Sequence, residues 1–366
     1  MPRSTRWMLL LLVAALPSMA GTRLLCALPG SVNTPDGMTL LPDGSIILSV
    51  PNFNDKAQPA MLVKVSPDNK AECWYTLPIV EAGATGRLGP MGICRAESGD
   101  IFLADMQYMT DKNQKSRLWR IAVKDGKPAG MTLVAKGFNV ANGLAIRGDS
   151  IYITESVLEE TSNPLTSAVL RFKLTDENIT LTTPLKNDPH IIATFESQNN
   201  DWRFGADGIA FDSKGNLFVG LFGDGELYKL TFDAAGKVAS NTLFAKSPEM
   251  VNCDGMSCDL RTDILYVADS AGNAIRAVMP CGMVKTLAET GEAVGQKGKV
   301  AGRLDQPCEA LVRGNTVVAS NMDWPFPKMV NTKHDLPATL VVADIADLLL
   351  PARCPCTRAA SRETLK

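Results

Sequence analysis

The feature that most constrains the fold is a hairpin motif that recurs six times along the chain. Each copy has a short apolar run, a tight turn and a second apolar run, and the copies occupy residues 35–50, 90–105, 141–156, 206–221, 253–269 and 308–321. Aligned on Gly37, Gly92, Gly143, Gly208, Gly255 and Ala310, they are spaced 55, 51, 65, 47 and 55 residues apart. A hairpin of this size cannot bury both of its faces alone, so we expect the copies to pack against one another.

The spacing predicts an all-β, six-bladed β-propeller, because the repeat is the size of a blade and too irregular for a solenoid. Every copy is followed by a third apolar strand, and five copies by a fourth. The sixth lacks its fourth strand, and residues 23–28 are predicted to supply it from the N-terminus. Such closure removes exposed sheet edges. Six four-stranded blades then fill residues 21–350 and leave no room for a second domain.

The two ends of the chain lie outside this ring. Residues 1–20 have two arginines, an apolar core and small residues before a cut after Ala20, which is the pattern of a signal peptide. The mature protein is therefore expected to be secreted, or periplasmic in a bacterium, with no membrane span. Asn178-Ile179-Thr180 is a glycosylation acceptor if the host is eukaryotic. Residues 351–366 form a tail that contains Cys354 and Cys356.

Composition narrows the partners and suggests disulfides. A net charge of −2 with interspersed signs argues against nucleic acid as a partner. Nine cysteines in an exported chain predict some disulfide bonds. We expect Cys26 to pair with Cys354 or Cys356, because ring closure brings the chain ends together, and Cys253 to pair with Cys258 or Cys308. The tail cysteines favour a disulfide over zinc, since no second ligand pair stands nearby.

The residue before the aligned Gly or Ala forms the most informative column of the repeat. It carries an oxygen-bearing side chain in five of the six copies, and the column reads Asp36, Met91, Asn142, Asp207, Asp254 and Glu309. Asp-Gly and Asn-Gly pairs also occur as plain turn residues, which is the alternative interpretation. Carboxylates that converge on one axis raise one another's pKa unless a cation or several donors compensate. Oxygen ligands without histidine favour Ca²⁺, or another divalent cation, over zinc or iron.

Connection lengths suggest which end of the ring is active. The turns between first and second strands are short, so their end is predicted to be featureless. Several connections between second and third strands are longer, and they share the other end with the axial column. The longest of them, residues 322–337, contains Trp324, Phe326 and His334, which we expect to contact substrate or to lie in a loop packed on the rim. Met91 is expected to add an apolar wall.

The repeats resemble a known family. Ala141-Asn142-Gly143-Leu144, and Ala206-Asp207-Gly208-Ile209 with the strand 215–219, are similar to blade motifs of the SMP-30/gluconolactonase/LRE-like superfamily, with a more distant resemblance to paraoxonase and strictosidine synthase. The resemblance implies a six-bladed propeller with an axial Ca²⁺ held by Asp36, Asn142 and Asp207. It also implies that Asp207 is the catalytic base, and the likeness to strictosidine synthase places an acid/base at Glu309.

Two departures from the family pattern bear on substrate and metal. The ligand in the first blade is commonly Glu, and Asp36 is shorter by one methylene group. Lactonases often place a substrate-contacting Asn in the second blade, where this chain has Pro90 and Met91. These differences leave the identity of the substrate open.

The sequence thus predicts a secreted, calcium-dependent hydrolase of a small lactone or ester. Asp254 or Glu309 is expected to serve as a further ligand or acceptor beside the ion, and Asp207 or Glu309 to activate water. Two alternatives remain open: a binding propeller with a structural cation, and a synthase that uses Glu309 as acid and base.

Overall fold

The computed structural model describes residues 21–80, 86–324, 326–331 and 333–348. The predicted signal peptide and the predicted tail, with Cys354 and Cys356, lie outside the described residues. The described chain is almost entirely β-structure, arranged as six antiparallel sheets around a central axis. In the described ranges no helix has the length and apolar character needed to cross a membrane.

Each sheet is one blade, and its strands follow one another outward from the axis. Strand β1 (Arg23–Ala27) precedes the first blade, which contains β2 (Met38–Leu40), β3 (Ile46–Val50), β4 (Met61–Val65) and β5 (Ala71–Thr76). The second blade contains β6 (Pro90–Arg95), β7 (Ile101–Asp105), β8 (Ser116–Lys124) and β9 (Lys127–Phe138). The third contains β10 (Ala141–Arg147), β11 (Ser150–Glu159), β12 (Leu165–Lys173) and β14 (Ile191–Ser197), with β13 (Ile179–Thr180) in the connection before β14.

The remaining three blades complete the ring. The fourth contains β15 (Ala206–Phe211), β16 (Leu217–Leu221), β17 (Glu226–Phe232) and β18 (Val238–Lys246). The fifth contains β19 (Met256–Asp259), β20 (Ile264–Asp269), β21 (Ala274–Val278) and β22 (Val284–Glu289). The sixth contains β23 (Pro307–Arg313), β24 (Thr316–Asn321) and β25 (Thr339–Asp344). The described helices are short: α1 (Gln296–Val300) and 3-10 turns at Leu185–Asn187 and Ala346–Leu348.

The N-terminal strand closes the ring, as predicted from the sequence. Strand β1 pairs antiparallel with β25, with Arg23 opposite Val342 and Cys26 opposite Leu340. The sixth sheet therefore has the order β1-β25-β24-β23, in which the two ends of the propeller share one blade. The second blade departs from the prediction of four strands, because β13 adds to the outer side of β9 in parallel.

The glycine of the repeat is required by the close approach of neighbouring blades at the axis. A Cβ on Gly92 would lie 2.3 Å from the carbonyl oxygen of Asn142, and one on Gly143 would lie 2.2 Å from that of Asp207. The same applies to Gly208, whose Cβ would lie 2.1 Å from the carbonyl oxygen of Asp254. Real Cβ contacts of this kind do not occur, so the innermost strands can meet only where the side chain is absent. The residue before each glycine is thereby held at the axis.

The hydrophobic core lies between the blades. All five residues of β3, β7 and β16 are buried, because each of these strands is covered by a neighbouring blade on both faces. Buried acids at the ends of second strands are paired: Asp105 at the end of β7 accepts from Arg117 at 2.6 Å, and Asp269 at the end of β20 accepts from Arg276 at 2.9 Å.

The predicted cysteine pairings are wrong. Cys26, Cys253, Cys258 and Cys308 are all free, because each packs within its own inter-blade or axial environment instead of meeting a second sulfur. Cys281, which the sequence analysis did not single out, is disulfide-bonded. Asn178 is exposed, and its glycosylation stays a prediction.

Candidate active site

The structure brings the predicted column of oxygen-bearing side chains together at the centre of the ring. Asp36, Asn142, Asp207 and Asp254 line both of the cavities that meet at the axis, whereas Glu309 lines only the larger one. Asp36 and Asp207 are each 5% exposed. We call Asp36, Asn142, Asp207, Asp254 and Glu309 the axial cluster.

Hydroxyl groups on the second strand of the blades fix the backbone beneath this cluster. Thr154 Oγ1 donates to the carbonyl oxygen of Asp207 at 2.8 Å, and Ser320 Oγ donates to that of Asp36 at 2.7 Å. Ser49 Oγ donates in the same way to the carbonyl oxygen of Met91 at 2.5 Å. Each bond runs from one blade to the next, so the positions of the axial residues follow from the packing of the ring.

Few hydrogen bonds compensate the carboxylates themselves. Asn142 Nδ2 donates to Asp207 Oδ2 at 2.8 Å, and Ser270 Oγ donates to Asp254 Oδ2. Glu309 Oε1 accepts from the backbone N–H of Ala310 at 2.9 Å, and the backbone of Met38 also donates to this carboxylate. Asp36 Oδ2 is buried and has no hydrogen-bond partner among the described residues. The cluster thus holds more negative charge than its donors can satisfy.

Burial and mutual repulsion shift the titration of all four acids in the same direction. Burial raises the pKa of Asp36 to about 7, although a hydrogen bond from Cys308 opposes this rise. The pKa of Asp207 lies well above its usual range because of burial and then because of the charges of Asp254, Asp36 and Glu309. Burial, and then the charge of Asp36, likewise raise the pKa of Asp254. Burial raises that of Glu309, with Asp36 and Asp254 adding to the effect. Without a cation, each of these acids therefore ionises less readily than an exposed carboxyl group.

The donor set fits a hard divalent cation in its chemistry. Four carboxylates and one amide offer only oxygen ligands, which Ca²⁺ prefers, and Asp36 Oδ2 is an unsatisfied acceptor. Within the described residues, however, no group of three or more His, Cys, Asp or Glu side chains is arranged to hold a metal ion. Asn142 instead directs its amide N–H at Asp207. A cation would therefore require small side-chain rotations, including a turn of this amide that presents its oxygen.

The two cavities lie on opposite sides of the axial cluster. The larger, of about 510 Å³, leads to the end with the short turns, where Arg147, Ser213 and Leu260 line it. The smaller, of about 60 Å³, lies at the end with the long connections. The prediction of a featureless end with short turns is therefore wrong. Because the innermost strands carry glycine at the axis, no side chain fills the channel there.

The smaller cavity contains three of the four residues predicted to contact substrate. Met91, Trp324 and Phe326 line it together with Phe204. Trp324 stacks on Phe53 with ring centroids 4.8 Å apart and contacts Phe326 edge-on at 5.3 Å. The long sixth-blade connection thus covers the axial cluster with aromatic side chains, and their role towards substrate stays a prediction.

His334 lies apart from both cavities. Its Nδ1 is 3.3 Å from Asp323 Oδ2, and this bond raises the pKa of His334. The same Asp323 carboxylate accepts from Lys299 Nζ at 2.6 Å, and Asp305 Oδ2 lies 3.2 Å from that nitrogen. Lys299 is fully buried. His334 therefore belongs to an ionic anchor of the long connection, and it does not border the axial site.

Three residues near the axis escaped the sequence analysis. Ser270 is bonded to Asp254, Cys308 lines the larger cavity, and Gln306 lines the smaller one. Ser270 and Cys308 lie in or beside repeat segments, where their identity gave no sign of a polar contact. Gln306 directly precedes the sixth innermost strand, and its left-handed backbone (φ 54°) is visible only in three dimensions.

Several solved structures share this fold over most of the chain. A luciferin-regenerating enzyme aligns with a TM-score of 0.56 at 12% identity, covering 88% of this chain and 94% of that one. A calcium-binding regucalcin from Agrobacterium tumefaciens aligns with 0.55 at 12% identity, covering 88% and 93%. A gluconolactonase from Xanthomonas campestris aligns with 0.54 at 11% identity, covering 88% of each chain.

By sequence, no protein-family model and no curated protein matches the chain. At such low identities the structural likeness establishes the fold. The names gluconolactonase and luciferin-regenerating enzyme, which two of these neighbours carry, also occur in the name of the superfamily that the blade motifs resemble.

Proposed function

We propose that the chain is an exported hydrolase of small lactones or esters that binds Ca²⁺, or another divalent cation, at the axial cluster. The observation that carries the proposal is that two buried carboxylates, two partly buried ones and Asn142 line one cavity at the axis, with Asp36 Oδ2 left without a partner among the described residues. Such an arrangement costs stability, because each ionised acid is desolvated beside others of the same charge. A bound cation would neutralise these charges, which explains why the carboxylates lie together despite this loss of stability. Export is supported by the N-terminal sequence pattern alone.

When bound, a divalent cation supplies a Lewis acid that polarises the substrate carbonyl and stabilises the oxyanion. Asp36, Asn142, Asp207 and Asp254 are the proposed ligands, since they face both cavities.

Asp207 is the better candidate for the base that takes a proton from the attacking water. It borders the larger cavity, from which water can reach it, and also the smaller cavity, where the substrate would lie. Glu309 borders only the larger of the two cavities, so it is placed to accept the proton from Asp207 or to bind a water molecule through a hydrogen bond. No covalent intermediate is needed for this reaction.

The test combines metal analysis with kinetics. The purified protein should contain about one Ca²⁺ per chain, and it should hydrolyse members of a lactone and ester panel in a manner abolished by a chelator and restored by Ca²⁺. Asp207→Asn should lower kcat by about 10²-fold or more, the usual size of a lost general base. Glu309→Gln should cost less, and Asp344→Asn on the exposed outer rim should have no effect.

Other outcomes select among the alternatives. Stoichiometric metal without turnover on the whole panel would identify a binding propeller. A larger loss in Glu309→Gln than in Asp207→Asn, with calcium retained, would place the acid/base at Glu309. A protein that binds no divalent cation and keeps its activity in chelator would refute the proposal.

A further inference from the structure

The smaller cavity has walls of unusual composition. Five methionines, three phenylalanines and one tryptophan line it, with the axial residues on one side. Apart from those axial residues, its described lining contains one polar side chain, that of Gln306. A polyhydroxylated ligand would lose hydrogen bonds to water against such walls, which costs free energy for every unpaired hydroxyl. An apolar ligand would gain contact with polarisable sulfur and aromatic groups.

Gln306 is held rigidly with one unpaired atom. Its backbone N–H donates to Asn273 Oδ1 at 2.8 Å, and its carbonyl oxygen accepts from Met322 N–H at 3.0 Å. These bonds hold the backbone of Gln306 at φ 54°, a conformation that residues other than glycine rarely adopt. The side chain is 4% exposed, and its Nε2 donates to Met329 Sδ at 3.1 Å. Its Oε1 is buried with no hydrogen-bond partner among the described residues.

An unpaired buried acceptor of this kind is costly and calls for an explanation. Met329 Sδ accepts one N–H of the amide group, and the amide oxygen is left free to accept. A ligand in the smaller cavity that carries an O–H or N–H group would satisfy it. Replacement of Gln306 by an apolar residue of similar length would fill the same volume without this cost, so packing alone does not explain the amide.

We infer that the substrate is a predominantly apolar lactone or ester with one hydrogen-bond donor, and that Gln306 Oε1 selects it by accepting that hydrogen bond. The inference rests on the proposed hydrolase function and names the substrate class of the same site. The reacting carbonyl would lie beside Asp207 and the rest of the axial cluster, and the apolar part would lie under Trp324 and Phe326.

The walls can adapt to the ligand. The cavity of about 60 Å³ is small compared with the several hundred Å³ of typical ligand sites. Methionine side chains have three flexible torsions and re-pack at low cost, so rotations of Met91, Met106 or Met109 would enlarge it. The site is therefore expected to accept a range of apolar groups and to discriminate mainly through the single donor.

The experiment measures kcat/KM in the presence of Ca²⁺ on three kinds of lactone. One has an unbranched six-carbon side chain, the second is the same lactone with a hydroxyl group at successive side-chain carbons, and the third is glucono-1,5-lactone. The wild-type protein should prefer the best hydroxylated alkyl lactone over the plain one by about tenfold or more, the value of one buried hydrogen bond. It should hydrolyse glucono-1,5-lactone least well.

Gln306→Leu should remove this preference, because the KM for the hydroxylated lactone rises until its kcat/KM no longer exceeds that for the plain lactone. Gln198→Leu makes the same chemical change at an exposed site and should leave the preference intact. If Gln306→Leu is insoluble, Gln306→Met keeps the length of the side chain without the amide. The substrate comparison on the wild-type protein needs no variant.

The possible results distinguish a failure of this inference from a failure of the proposed hydrolase function. If the wild-type protein hydrolyses no lactone or ester, the proposed function fails. If it hydrolyses them but prefers glucono-1,5-lactone, the function stands and the substrate class is overturned. A preference for the hydroxylated lactone that survives in a folded Gln306 variant would overturn the role of Gln306.

Discussion

The burial of Asp36 at the axis predicts that the cation-free protein loses stability as the pH rises. Asp36 has an ordinary pKa of 3.8 in the unfolded chain and a pKa of about 7 in the folded protein. Between pH 5 and pH 7 the folded state therefore holds one proton that the unfolded state has released. At 1.36 kcal/mol per pH unit, this difference makes folding about 3 kcal/mol less favourable at pH 8 than at pH 5. The stabilising proton is fully present at low pH and is lost as the pH rises through 7.

Urea unfolding in chelator at pH 5 and pH 8 measures this change, and Asp36→Asn removes both this acid and the effect of its charge on Asp207, Asp254 and Glu309. The variant keeps the shape of the side chain but has no acid to titrate. Other buried acids with a raised pKa, such as Glu155 and Asp305, titrate in both proteins and cancel in the difference. Saturating Ca²⁺ should stabilise the wild-type protein more at pH 8 than at pH 5, since protons compete with the metal for the carboxylates. Equal pH dependence of the two proteins in chelator would refute the account of Asp36 as a buried, uncompensated acid.

Two further substitutions test how the ring is held together. Gly143→Ala places a methyl group 2.2 Å from the carbonyl oxygen of Asp207, so it should lower the free energy of unfolding by about 3 kcal/mol and weaken Ca²⁺ binding. The control Gly30→Ala meets no atom within 4 Å and should change the unfolding free energy by less than about 0.5 kcal/mol. Equal unfolding midpoints of the two variants in urea would contradict the close approach of the blades. Lys299→Met removes the ammonium group beside the buried Asp305 and Asp323 and should lower the free energy of unfolding by about 3–5 kcal/mol in the same assay. The exposed Lys297→Met should leave this free energy unchanged. An unchanged unfolding free energy in Lys299→Met would show that the ionic anchor does not stabilise the protein.

The fold could be predicted because each blade repeats the same sequence pattern of apolar runs and short turns, in the same order along the chain. Alternating apolar runs and short turns determine strands such as Met61–Val65, and the missing strand of the sixth copy pointed to residues 23–28. The axial column could be predicted for the same reason, since symmetry brings equivalent positions together. What could not be predicted depends on contacts between blades. The free state of Cys26 and the position of His334 are set by which neighbour each side chain meets, and sequence spacing does not report this.

The direction in which the site opens was also beyond the sequence. Loop length suggested the end with long connections, yet those connections fold over the axis and leave a cavity of only about 60 Å³, while the short turns leave the channel of about 510 Å³ open. A long loop that carries aromatic residues and is anchored to a buried lysine can either cover a site or line its entrance. Length alone cannot separate these two outcomes, because they differ only in where the loop is anchored.

The glycine column and the acid column are two consequences of one packing constraint. Five blades approach so closely that only glycine fits at the junction, and this closeness forces the preceding side chains onto a common axis. The sixth copy has the fully buried Ala310 in place of glycine, so at its junction with the first blade the strands stand far enough apart for a methyl group. Asp36 projects from the first blade beside that wider junction, and its buried Oδ2 has no hydrogen-bond partner among the described residues. The irregular repeat therefore places the unsatisfied carboxylate oxygen next to the innermost strand of the sixth blade, the blade in which the two ends of the propeller share one sheet.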